Sequence, residues 1–118
     1  MTGEDSLSEL RDRLRHFAAE RDWDQFHSPK NLAMALSVEV AELVEHFQWL
    51  GEDASHRMPA DKLHKVAEEA ADVLVYLIRL ADKLGIDLAT AARAKIAANA
   101  LKYPVEKSRG SIRKYTEL

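Results

Sequence analysis

Glu39-Val40-Ala41-Glu42 and Glu69-Ala70-Ala71-Asp72 decide the reading of this chain. Each is an acidic pair at i, i+3 spacing, so both acids of a pair share one helix face. Each pair also lies inside a run that otherwise reads as an apolar helix. At about 100° per residue, with Glu39 at zero, Leu32, Leu36, Leu43, Phe47 and Leu50 fall roughly between 20° and 80°. Glu39 therefore sits at the edge of the core stripe, Glu42 about 60° to its other side, and His46 between them. With Glu69 at zero, Val66, Val73, Leu80 and Leu84 fall about 20° to 60° away, Tyr76 near −20° and Asp72 again about 60° off. Helical acids are usually solvated, and one such pair carries little weight. The repetition on two consecutive helices, in the same phase to the core, is what singles these four out. Glu45, Glu68 and Asp82 fall outside the stripes and read as surface charge.

Working outward, four helices account for nearly the whole chain. The first opens at the capping box Ser6-Leu7-Ser8-Glu9 and runs to about Arg21. A short loop, 22–28, carries Trp23, Phe26 and His27. Ser28 caps the second helix with Pro29 at its first position, and the helix is expected to reach about Leu50 and close at Gly51. A polar loop with Glu52, Asp53, Ser55 and His56 leads to Pro59, which opens a third helix ending at Leu84-Gly85. Asp87 caps a fourth that ends near Tyr103, because Pro104 cannot continue it. The tail 105–118 is charged and is expected to be partly mobile. No strand and no repeat of domain length is found. Short links between long helices predict an all-α, four-helix antiparallel bundle, one domain over 1–118.

The composition fits a soluble globular domain: 118 residues, 47% hydrophobic and 31% charged, with net charge −3. A mildly acidic balance gives no general reason to expect nucleic acid or an anionic membrane as partner. The absence of cysteine removes disulfides, thiolate metal sites and thiol nucleophiles together. The start, Met1-Thr2-Gly3-Glu4-Asp5, is acidic and lacks the apolar segment of a signal peptide, and no run reaches membrane-spanning length. A cytoplasmic location is the resulting expectation.

If the second and third helices pack together, four carboxylates converge. Two carboxylates ~4 Å apart repel by ~4 kcal/mol at an effective dielectric of about 20, so the set calls for a counter-charge. A divalent cation supplies one, and all-oxygen ligands suit Mg²⁺, with Mn²⁺ as a substitute, better than zinc. Magnesium commonly binds carboxylates together with substrate phosphates, which makes a phosphate-bearing ligand the natural partner. The opposite face of the third helix holds Ala67, Ala71, Leu74, Val75 and Ile78. A helix apolar all round is buried on both sides, so a second chain is expected, in a dimer or a pair of dimers.

Other residues offer the rest of a nucleotide site, each against a commoner role. Lys95, Asn99 and Lys102 form a polar stripe at i, i+4, i+7 before Tyr103-Pro104, suited to phosphate oxygens, although such a stripe is more often plainly solvated. Trp23, Phe26, His27 and Trp49 are placed to stack on a base, although aromatics at helix ends usually plug the core. Lys107, Arg109, Arg113 and Lys114 in the tail are suited to closing over a triphosphate, although such tails are commonly solvated.

From Trp23 to Tyr103 these motifs resemble the MazG-like all-α nucleoside triphosphate pyrophosphohydrolases, in particular their dCTP pyrophosphatase branch. The resemblance is carried by Phe26-His27-Ser28-Pro29-Lys30-Asn31-Leu32, by Glu39-x-x-Glu42 with Phe47-Gln48-Trp49, by Glu69-x-x-Asp72-Val73-Leu74-x-Tyr76-Leu77, and by Lys95-x-x-x-Asn99-x-x-Lys102-Tyr103-Pro104. The end of the tail, Tyr115-Thr116-Glu117-Leu118, resembles bacterial members. It implies a helical bundle assembled as a homodimer or homotetramer, and Mg²⁺-dependent hydrolysis between the α and β phosphates to a nucleoside monophosphate and pyrophosphate. By the same resemblance Glu39, Glu42, Glu69 and Asp72 hold the metal; Lys95, Asn99, Lys102 and Tyr103 contact phosphate or sugar; Trp23, His27 and Trp49 shape the base pocket. The chain departs from the arginine-rich vertebrate-like members at Leu101-Lys102, and lysine cannot grip phosphate bidentately.

The expected chemistry is attack of water on the α-phosphorus, with Glu39 or Glu42 as base. Two other readings compete. A di-iron or di-manganese carboxylate bundle typically uses Glu-x-x-His on two helices, a motif this chain lacks. A non-catalytic helical interaction module would use the acids as a recognition surface, and predicts neither metal-dependent stabilisation nor any product from a nucleotide.

Overall fold

The computed structural model describes residues 6–118; the acidic start Met1–Asp5 lies outside the described residues. Among those described there are six α-helices and no β-strand: α1 Ser6–Glu20, α2 Pro29–Glu45, α3 Glu52–Ser55, α4 Ala60–Lys83, α5 Leu88–Lys102 and α6 Val105–Ser108. Two short 3₁₀ turns, Asp24–Phe26 and Tyr115–Glu117, complete the set. The chain divides into two compact units, the first reaching Ile86 and the second spanning Asp87–Leu118.

In the first unit α4 is the spine. α2 packs along it most extensively, and α1 packs on it as well. The local signals act as expected at several points. Ser28 caps α2 by accepting from the Asn31 N–H at 3.1 Å, an arrangement worth about 1 kcal/mol. The Asn31 side chain reaches back to the Phe26 carbonyl at 3.1 Å and ties the preceding loop to the helix start. At the far end of α4, the Ile86 N–H bonds the Ala81 carbonyl at 2.8 Å and the Gly85 N–H bonds that of Asp82 at 3.2 Å. This is a Schellman closure, which needs the positive φ of +68° that Gly85 supplies.

Three boundaries differ from the sequence reading. α2 stops at Glu45 and does not continue to Leu50. Beyond it the Phe47 N–H bonds Val44 and the Leu50 N–H bonds Phe47, both i−3 contacts at 2.9 Å that tighten the chain out of α geometry. Gly51 has φ −76°, an ordinary extended value, and starts α3 instead of closing α2. The polar loop after it contains that one-turn helix.

The buried positions of the first unit are few: Ala18, Leu32, Ile78, Ala81 and the charged Arg79. Leu32 anchors the apolar stripe of α2 at 2% exposure. Leu32→Ala is expected to cost about 2–5 kcal/mol of folding stability, read as a lower denaturant midpoint with an unchanged slope. On the second face of α4, Ile78 is buried within the unit, whereas Ala67, Ala71, Leu74 and Val75 stay exposed. Leu10, Leu14 and Phe17 border the same face, making with Leu74, Val75 and Ile78 an apolar groove of about 290 Å³.

In the second unit Asp87 caps α5, its carboxylate accepting from the Thr90 N–H at 3.0 Å. Pro104 follows the helix end at Tyr103, as expected. The tail is more ordered than its composition suggested. It forms α6, turns at Gly110 with φ +74°, and sets the Tyr115 ring edge-on to Tyr103 with centroids 6.0 Å apart. The Lys102 ammonium lies 4.9 Å above the Tyr115 ring.

Candidate active site

Packing of α2 on α4 brings the acidic pairs together. One oxygen each from Glu39, Glu69 and Asp72 lies within 4.8 Å of the other two. Glu42 is outside that triad but within hydrogen-bonding reach of both Glu39 and Glu69. His46 Nε2 stands 4.0 Å from Glu69 Oε1, so the histidine in phase with the acids does join them. The second oxygens of Glu39 and Glu69 are buried without any hydrogen-bond partner. Unpartnered buried carboxylate oxygens are costly.

Both glutamates are accordingly pushed above the ordinary carboxylate range. For Glu39 the causes are burial, then the hydrogen bond and charge of Glu42, then Asp72 and Glu69. For Glu69 they are burial, the hydrogen bond and charge of Glu42, and Asp72, opposed by His46. An all-oxygen donor set with two orphaned buried oxygens fits a hard divalent cation, which would satisfy those oxygens and offset the repulsion. Glu45 and Glu68, the comparison acids, are exposed as expected.

Directly testable consequences attach to these shifts. A carboxylate raised above its ordinary 4.5 stabilises the fold fully below that value and loses the contribution as pH rises through the raised one. Asp24 and Asp82 act oppositely. Cationic partners hold them below their ordinary 3.8, so their contribution is present above it and lost as pH falls through the lowered value. On these four carboxylates the metal-free protein is therefore expected to lose melting temperature as pH rises from about 4.5 to neutrality. A melting temperature that climbs steadily from pH 4 to pH 8 without metal would contradict the shifts.

Beside the acid centre, Trp23 and His27 line a cleft of about 90 Å³ with Leu14, Phe17, Ala18, Val75, Tyr76 and Arg79. The Phe17 and Trp23 rings meet edge to face at 5.7 Å, and the Trp23 and His27 rings at 6.3 Å. Asp72, Tyr76 and Arg79 follow i, i+4, i+7 spacing, so the cleft and the acid centre share one face of α4. Phe26 and Trp49 do not join this cleft. Trp49 lies past the early end of α2 at 88% exposure, its helical phase lost. In the second unit Lys95, Asn99 and Lys102 are exposed on α5 and Tyr103 is half-buried at its end. Lys107 and Arg113 of the tail border a separate open cavity of about 550 Å³.

Two charged residues are placed differently from what the sequence alone implies. Asp82 is not the surface charge its helical phase implies: its side chain is only 11% exposed and is gripped by Arg15 at 2.8 Å through Nε and 2.5 Å through Nη2. Arg79 is 4% exposed. Its Nη2 donates to Asp24 Oδ1 at 2.6 Å, and Nη1 lies 3.6 Å from Asp82. Lys83 reaches the same Asp24 oxygen at 2.9 Å. The one sequence signal was a lone arginine amid Tyr76-Leu77-Ile78-Arg79-Leu80, one turn before Asp82.

The pattern of the MazG-like family matches residues 34–118, the span that holds both acidic pairs. The chain belongs to the MazG-like family. Among proteins of known function, this MazG-like chain is 45% identical over 117 residues to dCTP pyrophosphatase 1 of Mus musculus, covering 98% of this chain and 69% of that protein. It is 44% identical to dCTP pyrophosphatase 1 of Homo sapiens, with the same coverage. Among solved structures it is similar to a pyrophosphatase from Archaeoglobus fulgidus DSM 4304, with TM-score 0.80 and 41% identity over 88% of this chain and 97% of that one. The all-helical class read from the sequence is thus the MazG-like one.

Proposed function

We propose that this chain is a divalent-metal-dependent nucleoside triphosphate pyrophosphohydrolase, cleaving (d)NTP between the α and β phosphates to (d)NMP and pyrophosphate. The observation that supports it most is the convergence of Glu39, Glu69 and Asp72 with two buried oxygens left unpartnered, in a chain whose relatives are named as dCTP pyrophosphatases. Glu39, Glu42, Glu69 and Asp72 would hold Mg²⁺, or Mn²⁺ in its place. When bound, that ion supplies charge neutralisation to the phosphates and makes water more acidic. The chain's own part is to orient the triphosphate and to take the proton of the attacking water at Glu39 or Glu42.

Trp23, His27 and Trp49 shape the base pocket in this reading, and Lys95, Asn99, Lys102 and Tyr103 contact phosphate or sugar. dCTP and modified pyrimidine nucleotides are the first candidate substrates, and sanitation of the nucleotide pool in the cytoplasm is the role. Among the described residues no helix is long and apolar enough to cross a membrane. The exposed Leu74 and Val75 and the groove beside them support self-association as a homodimer or homotetramer.

A panel of canonical and modified triphosphates, with and without Mg²⁺, tests the function. Pyrophosphate is expected as product in the presence of metal. Release of inorganic phosphate, or no product from any nucleotide, would end the proposal and favour a binding module.

A further inference from the structure

Arg79 is a full positive charge with almost no access to solvent, placed against the one histidine that lines the aromatic cleft. Its Nη2 carries two protons. One is directed to Asp24 Oδ1 at 2.6 Å, and the other meets His27 Nδ1 at 3.2 Å. A guanidinium can only donate. His27 Nδ1 must then present its lone pair, and in a neutral imidazole the single proton falls to Nε2. Burial and the charge of Arg79 both oppose protonating the ring, with Lys83 acting the same way and Asp24 opposing them. The ring is thus neutral, with one defined tautomer.

The clamp is rigid for reasons visible around it. Asp24 is held from α4 by both Arg79 and Lys83, and Asp82 is held by both Arg79 and Arg15. Asp24 follows Trp23 directly, so the same contacts fix the turn that carries Trp23 and His27. Among the described residues Nε2 of His27 has no hydrogen-bond partner, and it is the ring nitrogen left for a ligand.

We propose that Arg79 is a specificity-determining positioning residue, which holds His27 as the Nε2–H tautomer so that the cleft offers a donor to the substrate base. Such a donor favours a base with a ring acceptor, as N3 of cytosine is, over one with a ring N–H, as N3 of uracil is. This inference rests on the nucleotide reading of the Trp23 cleft given above.

The test uses the full-length protein labelled with ¹⁵N-histidine, and the kcat/KM ratio for dCTP against dUTP. In the wild type, long-range ¹H–¹⁵N correlations at pH 7 are expected to show His27 neutral with the proton on Nε2. Arg79→Met should give a mixture of tautomers and lower the dCTP/dUTP ratio about tenfold, the scale of one lost hydrogen bond. Arg79→Gln keeps an N–H donor and should recover part of both. A wild-type His27 protonated on Nδ1 overturns the inference without any variant. So does an Arg79→Met protein whose ratio is unchanged, whatever its melting temperature. Trp23→Ala separates the two layers. If it leaves KM for both nucleotides unchanged, the base-site reading fails and takes the inference with it. If it raises KM while Arg79→Met leaves the ratio intact, only the role of Arg79 falls.

Discussion

Glu39→Gln is expected to leave a folded, helical protein whose pyrophosphate release falls roughly 10³-fold, within the range lost with a base or charge-holding group at a reacting centre. The substitution is isosteric and removes one negative charge from a crowded set. Glu39 is raised by burial and by three neighbouring acids, so the metal-free variant should melt no lower than the wild type at neutral pH. Loss of activity with unchanged or improved stability is the signature to look for, with circular dichroism and pyrophosphate release measured on one preparation. Turnover at the wild-type rate would remove Glu39 from the site. Glu45→Gln is the control, since Glu45 is exposed and outside the cluster.

The second large effect concerns metal. Chelation with EDTA is expected to abolish pyrophosphate release, and readdition of Mg²⁺ or Mn²⁺ to restore it. A ligand that binds only the folded state, at a hundred times its Kd, stabilises by about 2.7 kcal/mol. The melting temperature of the wild type should therefore rise with Mg²⁺, while a Glu39→Gln/Glu69→Gln double variant should not respond. The double variant removes both residues whose second oxygens are buried and unpartnered. An equal rise in the two proteins would mean that the ion binds elsewhere.

Much of this site could be read from the chain alone, because it depends on periodicity within single helices. The phase of Glu39 and Glu69 against their apolar neighbours is a local property, and packing of α2 on α4 simply completes it. The same holds for the starts of α2 and α5 and the end of α4, where Ser28, Asp87 and Gly85 act within a few residues of themselves. What was hidden depends on distant partners. Arg79 is buried because Asp24, far away in sequence, and Asp82 neutralise it, and nothing near residue 79 announces Asp24. Asp82 is hidden for the same reason, since its partner Arg15 lies on α1. The early end of α2 escaped because Phe47 and Leu50 keep an apolar spacing that a tightened turn satisfies as well as a helix would. Trp49 then loses the helical phase that its sequence position suggested.

One consequence of the spine helix reaches beyond stability. Asp72, at the acid end, and Arg79, in the lining of the aromatic cleft, belong to the same uninterrupted helix, so seven residues at 1.5 Å each set them about 10 Å apart along its axis. That spacing is a gauge cut into the backbone. A ligand must span it to engage both ends at once, and side-chain exchange at either end alters grip without altering the gauge. Evolution toward a longer or shorter ligand along this axis would have to proceed through insertion or deletion, each residue of which would turn one end by about 100° away from the other.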